Sequence, residues 1–253
     1  MKGSFNGLKD IEKFSSPLKV IGLLMGDNGV NLSFFKDEDD NRVAMVPARN
    51  KTTGVVIIHK WKNLFNDFDF DSDDERVGIL KVNEFISRLG IFTDEKKEIE
   101  IEKTDDGILT LTQGQSILQF KTSDPELISE GKRKFKGADW IGVLDYDERL
   151  TSFTNALKVM ASEQYIFAKG IKDKGEIVLS VQNKDVQHNA FKIPVDAEVT
   201  EDFELVFKKE NIQIILSSKP SNIKIRFSDR MMNIHAENDD EESDYFISKV
   251  VSQ

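Results

Sequence analysis

The chain of 253 residues contains no cysteine. That excludes disulfides, thiolate metal sites and a cysteine nucleophile, and it fits a reducing compartment, so a cytoplasmic location is expected. Histidine is scarce: His59, His188 and His235 are the only three, and no two stand at metal-ligand spacing. Neither a glycine-rich phosphate loop nor a Gly-x-Ser-x-Gly elbow occurs. Carboxylates abound, but nothing singles out an acid–base pair. The expectation is a protein that is not an enzyme and uses no cofactor or metal. No apolar run approaches the roughly 20 residues that span a bilayer. The opening Met1-Lys-Gly-Ser-Phe-Asn lacks the apolar stretch of a secretory signal, so no membrane partner is expected.

What is present is a soluble composition, 39% hydrophobic and 32% charged, in a length that allows two domains of roughly 120 residues. The stretch Lys208-Lys-Glu-Asn-Ile-Gln-Ile-Ile-Leu216 has a counterpart 127 positions earlier, Lys81-Val-Asn-Glu-Phe-Ile-Ser-Arg-Leu89. Each follows an apolar strand, Val77 to Leu80 and Phe203 to Phe207. Each carries apolar residues at helical spacing, Phe85, Ile86 and Leu89 against Ile212, Ile215 and Leu216. Alternating strands follow in both. The pattern predicts a duplicated α+β chain, with short helices packed on antiparallel sheets. The expected divisions are residues 1–121, a linker over 122–139, and 140–253.

Along the first half, Asn6 is a cap for a helix over Leu8 to Ser16, and Pro17 should end it. Leu18 to Met25 reads as a buried strand, and Gly26-Asp-Asn-Gly29 as a hairpin turn leading to Val30–Phe35. Asp67, Asp69, Asp71, Asp73 and Asp74 alternate with Phe68 and Phe70. A calcium loop needs a central glycine and a terminal glutamate, which are missing, so a solvated acidic loop is expected. The linker carries Pro125, Gly131 and Gly137 and a basic cluster at Lys132, Arg133, Lys134 and Lys136. Arg149 to Ser162 is the clearest helix, with Leu150, Phe153, Leu157 and Met160 on one face. An acidic connection runs from Glu237 to Asp244.

The formal charge is −10, from 35 basic and 45 acidic residues. It is unevenly spread. The helical windows 8–16, 81–90, 149–162 and 208–219 carry 0, +1, +2 and +2, which leaves −15 on everything else. A basic helical face on an acidic protein is the footprint expected for a polyanion. Lysine and arginine are also ordinary residues of exposed helices, which is the plain alternative.

Two segments carry a resemblance to a known family. Val77-Gly-Ile-Leu-Lys-Val-Asn-Glu-Phe-Ile-Ser-Arg-Leu-Gly90, with the strand pair after it and Phe120-Lys-Thr-Ser-Asp-Pro125, is similar to the first domain of a DNA sliding clamp, the DNA polymerase processivity factor. Phe203 to Phe227 is similar to the corresponding part of the second domain. The nearest type is the tailed-phage clamp with two domains per subunit, and proliferating cell nuclear antigen shares its plan. Residues 52–75 depart from the pattern.

The resemblance implies a homotrimeric ring around double-stranded DNA, without sequence preference, that tethers the replicative DNA polymerase and is opened by a clamp loader. It places Lys9, Lys13, Lys81, Arg88, Arg149, Lys158, Lys208 and Lys209 toward DNA. It makes Ser116 to Lys121 and Asn189 to Val195 the closing edges, with Ile117, Leu118, Phe120, Phe191 and Ile193 as interface residues. It assigns Leu127, Ile128, Val250 and Val251 to a pocket for partner peptides. The alternative is a monomeric clamp-like protein that aids processivity or late transcription without closing a ring.

Overall fold

The computed structural model describes residues 1–70, 74–131, 138–183 and 190–250. The chain divides into two compact units. One comprises Met1–Asn50, Val56–Lys134 and Asn238–Glu242; the other comprises Lys51–Val55, Phe135–Glu237 and Ser243–Gln253.

The first unit is built from β1 (Lys2–Phe5), α1 (Leu8–Met25), β2 (Val30–Lys36), β3 (Arg42–Asn50), β4 (Val55–Trp61), β5 (Glu75–Ile79), α2 (Val82–Leu89), β6 (Ile99–Lys103), β7 (Ile108–Gln113) and β8 (Ser116–Lys121). The second is built from β9 (Gly142–Asp145), α3 (Glu148–Val159), β10 (Tyr165–Ile171), β11 (Glu176–Gln182), β12 (Phe191–Asp196), β13 (Glu198–Val199), β14 (Phe203–Lys208), α4 (Lys209–Ser217), β15 (Ile223–Phe227), β16 (Met231–Glu237) and β17 (Glu241–Ser248). This is the expected α+β arrangement.

The strand orders show the duplication. The first unit holds β1-β6-β7-β8 and β4-β3-β2-β5; the second holds β9-β15-β16-β17 and β12-β11-β10-β14, with β13 added beside β9. Strand for strand the two orders are the same. The pairing is antiparallel, for example Ile101 opposite Leu111 and Ile225 opposite Ile234. Within each unit the two helices pack against one another, α1 on α2 and α3 on α4. The first core is aromatic, with Phe5, Phe14, Phe34, Phe65, Phe68 and Phe85 all buried and Phe65 4.8 Å from Phe68 between ring centroids. The second is mostly aliphatic around Phe153, Phe207 and Phe227.

Several local expectations are corrected. α1 does not stop at Pro17; it runs through it to Met25. A proline inside a helix removes the donor for the carbonyl four residues back, here Lys13. The indole N–H of Trp61 donates to that carbonyl at 3.2 Å, so the missing bond is supplied from β4. Leu18 to Met25 is therefore helix, not strand. The helix also starts without the side-chain cap foreseen from Asn6: Gly7 is the cap residue, and the Asp10 carboxylate accepts from the Asn6 N–H at 2.9 Å. Gly26–Asn28 is a tight turn from helix to strand rather than a hairpin. Gly26 makes the last helical bond, its N–H donating to the Gly22 carbonyl, and its φ of 58° then turns the chain out of α1.

The acidic loop is not fully solvated. Asp67, Asp69 and Asp74 are exposed, but Phe65 and Phe68 anchor the loop in the core; Asp71 and Asp73 lie outside the described residues. The acidic connection is short, because Glu241 to Asp244 already belong to β17.

The start of the linker lies on the first unit. Ser123 bridges to Gly78 and Glu130 to Ala48. A β-carbon on Gly78 would sit 2.5 Å from the Ser123 carbonyl oxygen, so only glycine allows this approach. Asp124 caps the turn Pro125–Leu127, and Arg76 pairs with Glu126 at 2.8 Å. The basic cluster Lys132, Arg133, Lys134 and Lys136 lies outside the described residues.

Candidate nucleic-acid interface

Within their observed bounds the four helices hold seven basic and five acidic residues, a net of +2 against −12 for the rest. The charge contrast keeps its sign but is smaller than the sequence windows indicate. The difference arises because Lys81, Lys208 and Lys219 fall outside α2 and α4 and Glu148 opens α3, against one cation gained, Lys19, in the longer α1.

The candidate cations separate into three groups. Lys9, Lys158 and Lys208 are exposed and have no carboxylate partner among the described residues. Lys19 joins them; a helix that ended at Pro17 would have left it out. Lys13, Lys81, Arg88 and Arg149 are already paired. Lys13 meets Asp240 at 2.7 Å, and that contact raises its pKa. Glu84 receives Lys81 at 3.3 Å and also binds Arg88, which depresses the Glu84 carboxyl. The Arg88 guanidinium also lies 5.6 Å over the Phe120 ring. Arg149 is held between Asp196 at 2.6 Å and Asp147 at 2.8 Å, which raises its pKa. Exposed pairs of this kind contribute little stability, about 0–1 kcal/mol, yet a phosphate has to displace the carboxylate to use the cation.

Lys209 forms the third group and corrects an expectation. Its side chain does not point outward. The residue is buried, and its ammonium donates to the main-chain carbonyl of Met160, the cap residue at the end of α3. A helix leaves its last carbonyls without internal donors, and a cation there also meets the negative end of the helix dipole. Burial lowers the Lys209 pKa, opposed by the charge of Glu163.

Each unit has a cleft beside a helix, at the first half of α1 in one and between the end of α3 and the start of α4 in the other. The first, of ≈ 590 Å³, includes Lys9 and Lys13 but also Asp10, Glu12, Asp67, Asp240 and Glu241, so its walls are acidic. The second, of ≈ 550 Å³, has Lys158, Lys208 and Lys209 against Glu163 and Glu210, with Gln164, Tyr165 and Gln213 between.

The two segments foreseen as closing edges are both at sheet edges. β8 ends the order β1-β6-β7-β8 and β12 ends β12-β11-β10-β14. On β8, Ile117 is 61% exposed, whereas Leu118 and Phe120 are 8% and 7% exposed. Those two are corrected to core residues: the alternation of the strand turns them inward, and Phe120 stacks 5.0 Å from Phe85. On β12, Phe191 and Ile193 are half-buried, and Pro194, which donates no ladder bond, sits where an edge strand tolerates it.

Of the foreseen peptide-pocket residues, Leu127 is 77% exposed at the tip of its capped turn. Ile128 is buried beneath it, so it anchors the strap instead of lining an open pocket. Val250 is half-buried and donates its N–H to the Val206 carbonyl at 2.7 Å. Val251 lies outside the described residues. No helix among the described residues is long and apolar enough to cross a membrane.

No protein-family model matches the chain. No curated protein matches it in sequence either. Solved structures do match in fold. PCNA2–PCNA3 of Sulfolobus tokodaii aligns with a TM-score of 0.75 at 15% identity, over 98% of this chain and 99% of that one. A. fulgidus PCNA, solved with the C-terminal region of FEN-1 bound, aligns at 0.74 and 10% identity, over 100% and 99%. Proliferating cellular nuclear antigen of Entamoeba histolytica aligns at 0.73 and 11% identity, over 99% and 98%. The chain has the PCNA-like clamp fold, two clamp domains of antiparallel sheets with a few short helices.

Proposed function

We propose that the protein is a sliding clamp: three copies close a ring around duplex DNA and hold the replicative polymerase on its template, with a loader opening the ring. The observation that carries this reading is the likeness to PCNA over the whole chain, together with two unlike open edges, β8 and β12, one on each unit. An open edge invites another strand, and pairing β8 of one copy with β12 of the next satisfies both. Ile117, Phe191 and Ile193 supply the apolar side chains of that contact. Lys9, Lys158 and Lys208 are the cations best placed for phosphates. Contacts to phosphate carry no sequence information, as a ring that moves along DNA requires.

Leu127 and Val250 are the residues offered to partner segments, the polymerase and FEN-1-type peptides among them. A tailed-phage origin is part of this proposal, and rests on the likeness of residues 77–125 and 203–227 to that clamp type.

Solution mass tests the ring. Each chain is 28.8 kDa. Light scattering should give three times that value at micromolar concentration, and Ile117→Glu should reduce it to one chain without lowering the melting temperature. A wild-type chain that stays monomeric would overturn the ring and leave the reading of a monomeric accessory protein.

A further inference from the structure

The acidic connection between β16 and β17 gathers side chains that the sliding-clamp reading does not use. The Asn238 side chain accepts from the N–H groups of Asp240 and Glu241, and the Asn238 N–H donates to the Glu241 carbonyl, each at 2.9 Å, which closes a tight hairpin. Counted back from that turn, Glu237 stands opposite Glu242 and His235 opposite Asp244. Side chains alternate along a strand, so these four and Asn233 share one face. Two glutamates directly opposite one another destabilise a hairpin.

His235 Nδ1 lies 3.1 Å from Asp244 Oδ1, and its Nε2 lies 3.7 Å from Glu237. One ligand atom each from His235, Glu242 and Asp244 fall within 4.8 Å of one another. Asn233, next along the face, is fully buried. Its Nδ2 donates to the same Asp244 oxygen at 2.9 Å, and its Oδ1 has no hydrogen-bond partner among the described residues. A buried acceptor left open is costly. A protonated imidazole would answer the carboxylates but not Asn233, because its two ring nitrogens face Asp244 and Glu237.

We propose that His235, Glu242, Asp244 and the Asn233 amide oxygen form a site for a divalent transition-metal cation, zinc being the type that suits it. Zinc takes imidazole nitrogen and carboxylate oxygen at about 2.0–2.2 Å in a tetrahedron, so its neighbouring ligands stand about 3.4 Å apart. The spacing of His235 Nδ1 and Asp244 Oδ1 is already close to that edge, and rotation of the Glu242 side chain closes the rest. With Nδ1 on the ion, Nε2–H points toward Glu237, the outer carboxylate that a metal-bound histidine ordinarily has. A half turn of the Asn233 amide presents Oδ1 to the ion. Without the ion, that turn sets oxygen against the Asp244 carboxylate, so the nitrogen faces it instead. The ion offsets the opposed charges of Glu237 and Glu242 and ties β16 to β17. One imidazole among the oxygens favours zinc over magnesium or calcium, which take oxygen alone. Paired histidines are the usual sequence sign of such a site, and this one uses a single histidine.

The test is a calorimetric titration of the full chain, stripped with a chelator, with zinc chloride. One saturable equivalent per chain is expected. His235→Gln and Asp244→Asn should each weaken it by about tenfold or more, while His188→Gln leaves it unchanged. Magnesium chloride at the same concentrations should give no saturable heat. Asn233→Asp places a further carboxylate beside Asp244, so it should lower the melting temperature of the metal-free chain, and zinc should restore it. A cluster that only holds the hairpin by hydrogen bonds would show no such recovery. No saturable equivalent in the wild-type chain, undiminished binding by His235→Gln, or magnesium bound as well as zinc would overturn the site. The wild-type titration decides the matter even where a variant fails to fold. The site does not rest on the ring, which solution mass tests separately.

Discussion

Trp61 donates its indole N–H to the main-chain carbonyl of Lys13, 3.2 Å away, and so supplies the hydrogen bond that Pro17 withholds from its own helix. An unsatisfied buried carbonyl costs about 1–3 kcal/mol, and that cost explains why a tryptophan 44 positions after the proline is tied to it.

The first prediction concerns this pair. Trp61→Phe should destabilise the protein, through weaker packing on Phe14 and Phe65 and through the orphaned carbonyl. In a Pro17→Ala background the helix provides its own donor, so the same change should cost about 1 kcal/mol less. Thermal melts of the four proteins measure the coupling. A coupling of zero means that Trp61 only packs.

The second concerns acid. His59 is fully buried beside Trp61, ring centroids 4.2 Å apart, and burial lowers its pKa from 6.5 to about 3. The folded state therefore refuses a proton that the unfolded state accepts. Stability conferred by the neutral ring is complete above pH 6.5 and falls as the pH drops toward about 3, by up to about 1.4 kcal/mol per pH unit. Glu241, whose pKa burial raises, works in the opposite sense near its own titration. Asp37 and Asp147 are depressed and weaken the fold only at lower pH. His59→Leu should remove the loss between pH 6.5 and 4.5 in urea unfolding; an unchanged slope there would assign the acid sensitivity to another group.

The third separates two adjacent lysines. Lys208 is exposed and Lys209 is buried under the Met160 carbonyl. Competitive acetylation should modify Lys208 and Lys158 early and Lys209 late. The lowered pKa of Lys209 makes the test sharp, because an accessible amine with that property would react first. Early modification of Lys209 would return it to the surface.

The duplication was legible in the sequence because it depends on apolar spacing, which local geometry dictates. Phe85 and Leu89, like Ile212 and Leu216, are buried on the faces their spacing assigns. The edges expected at Ser116–Lys121 and Asn189–Val195 rest on the family likeness, and Asn189 lies outside the described residues; alternation sets Ile117 on the face opposite Leu118 and Phe120 but does not say which face is the core. What was hidden depends on partners distant in the chain. Pro17 ends a helix by every local rule, and only Trp61 reverses that. Lys13 reads as a free cation until Asp240, 227 positions later, arrives beside it. Lys209 reads as exposed because its neighbour is, and only the uncapped end of α3 turns it inward. Leu18 to Met25 is a short apolar run, and such a run suits a buried helix as well as a strand.

The unlike edges β8 and β12 give any assembly built through them a direction. Each copy offers one edge forward and the other backward, so no two-fold axis relates neighbours, and nothing in a single joint limits the number of copies. Only the rotation from one copy to the next decides whether the series of joints returns to its start. A substitution that twists β8 without weakening it would therefore yield filaments, with every joint intact and no hole to thread.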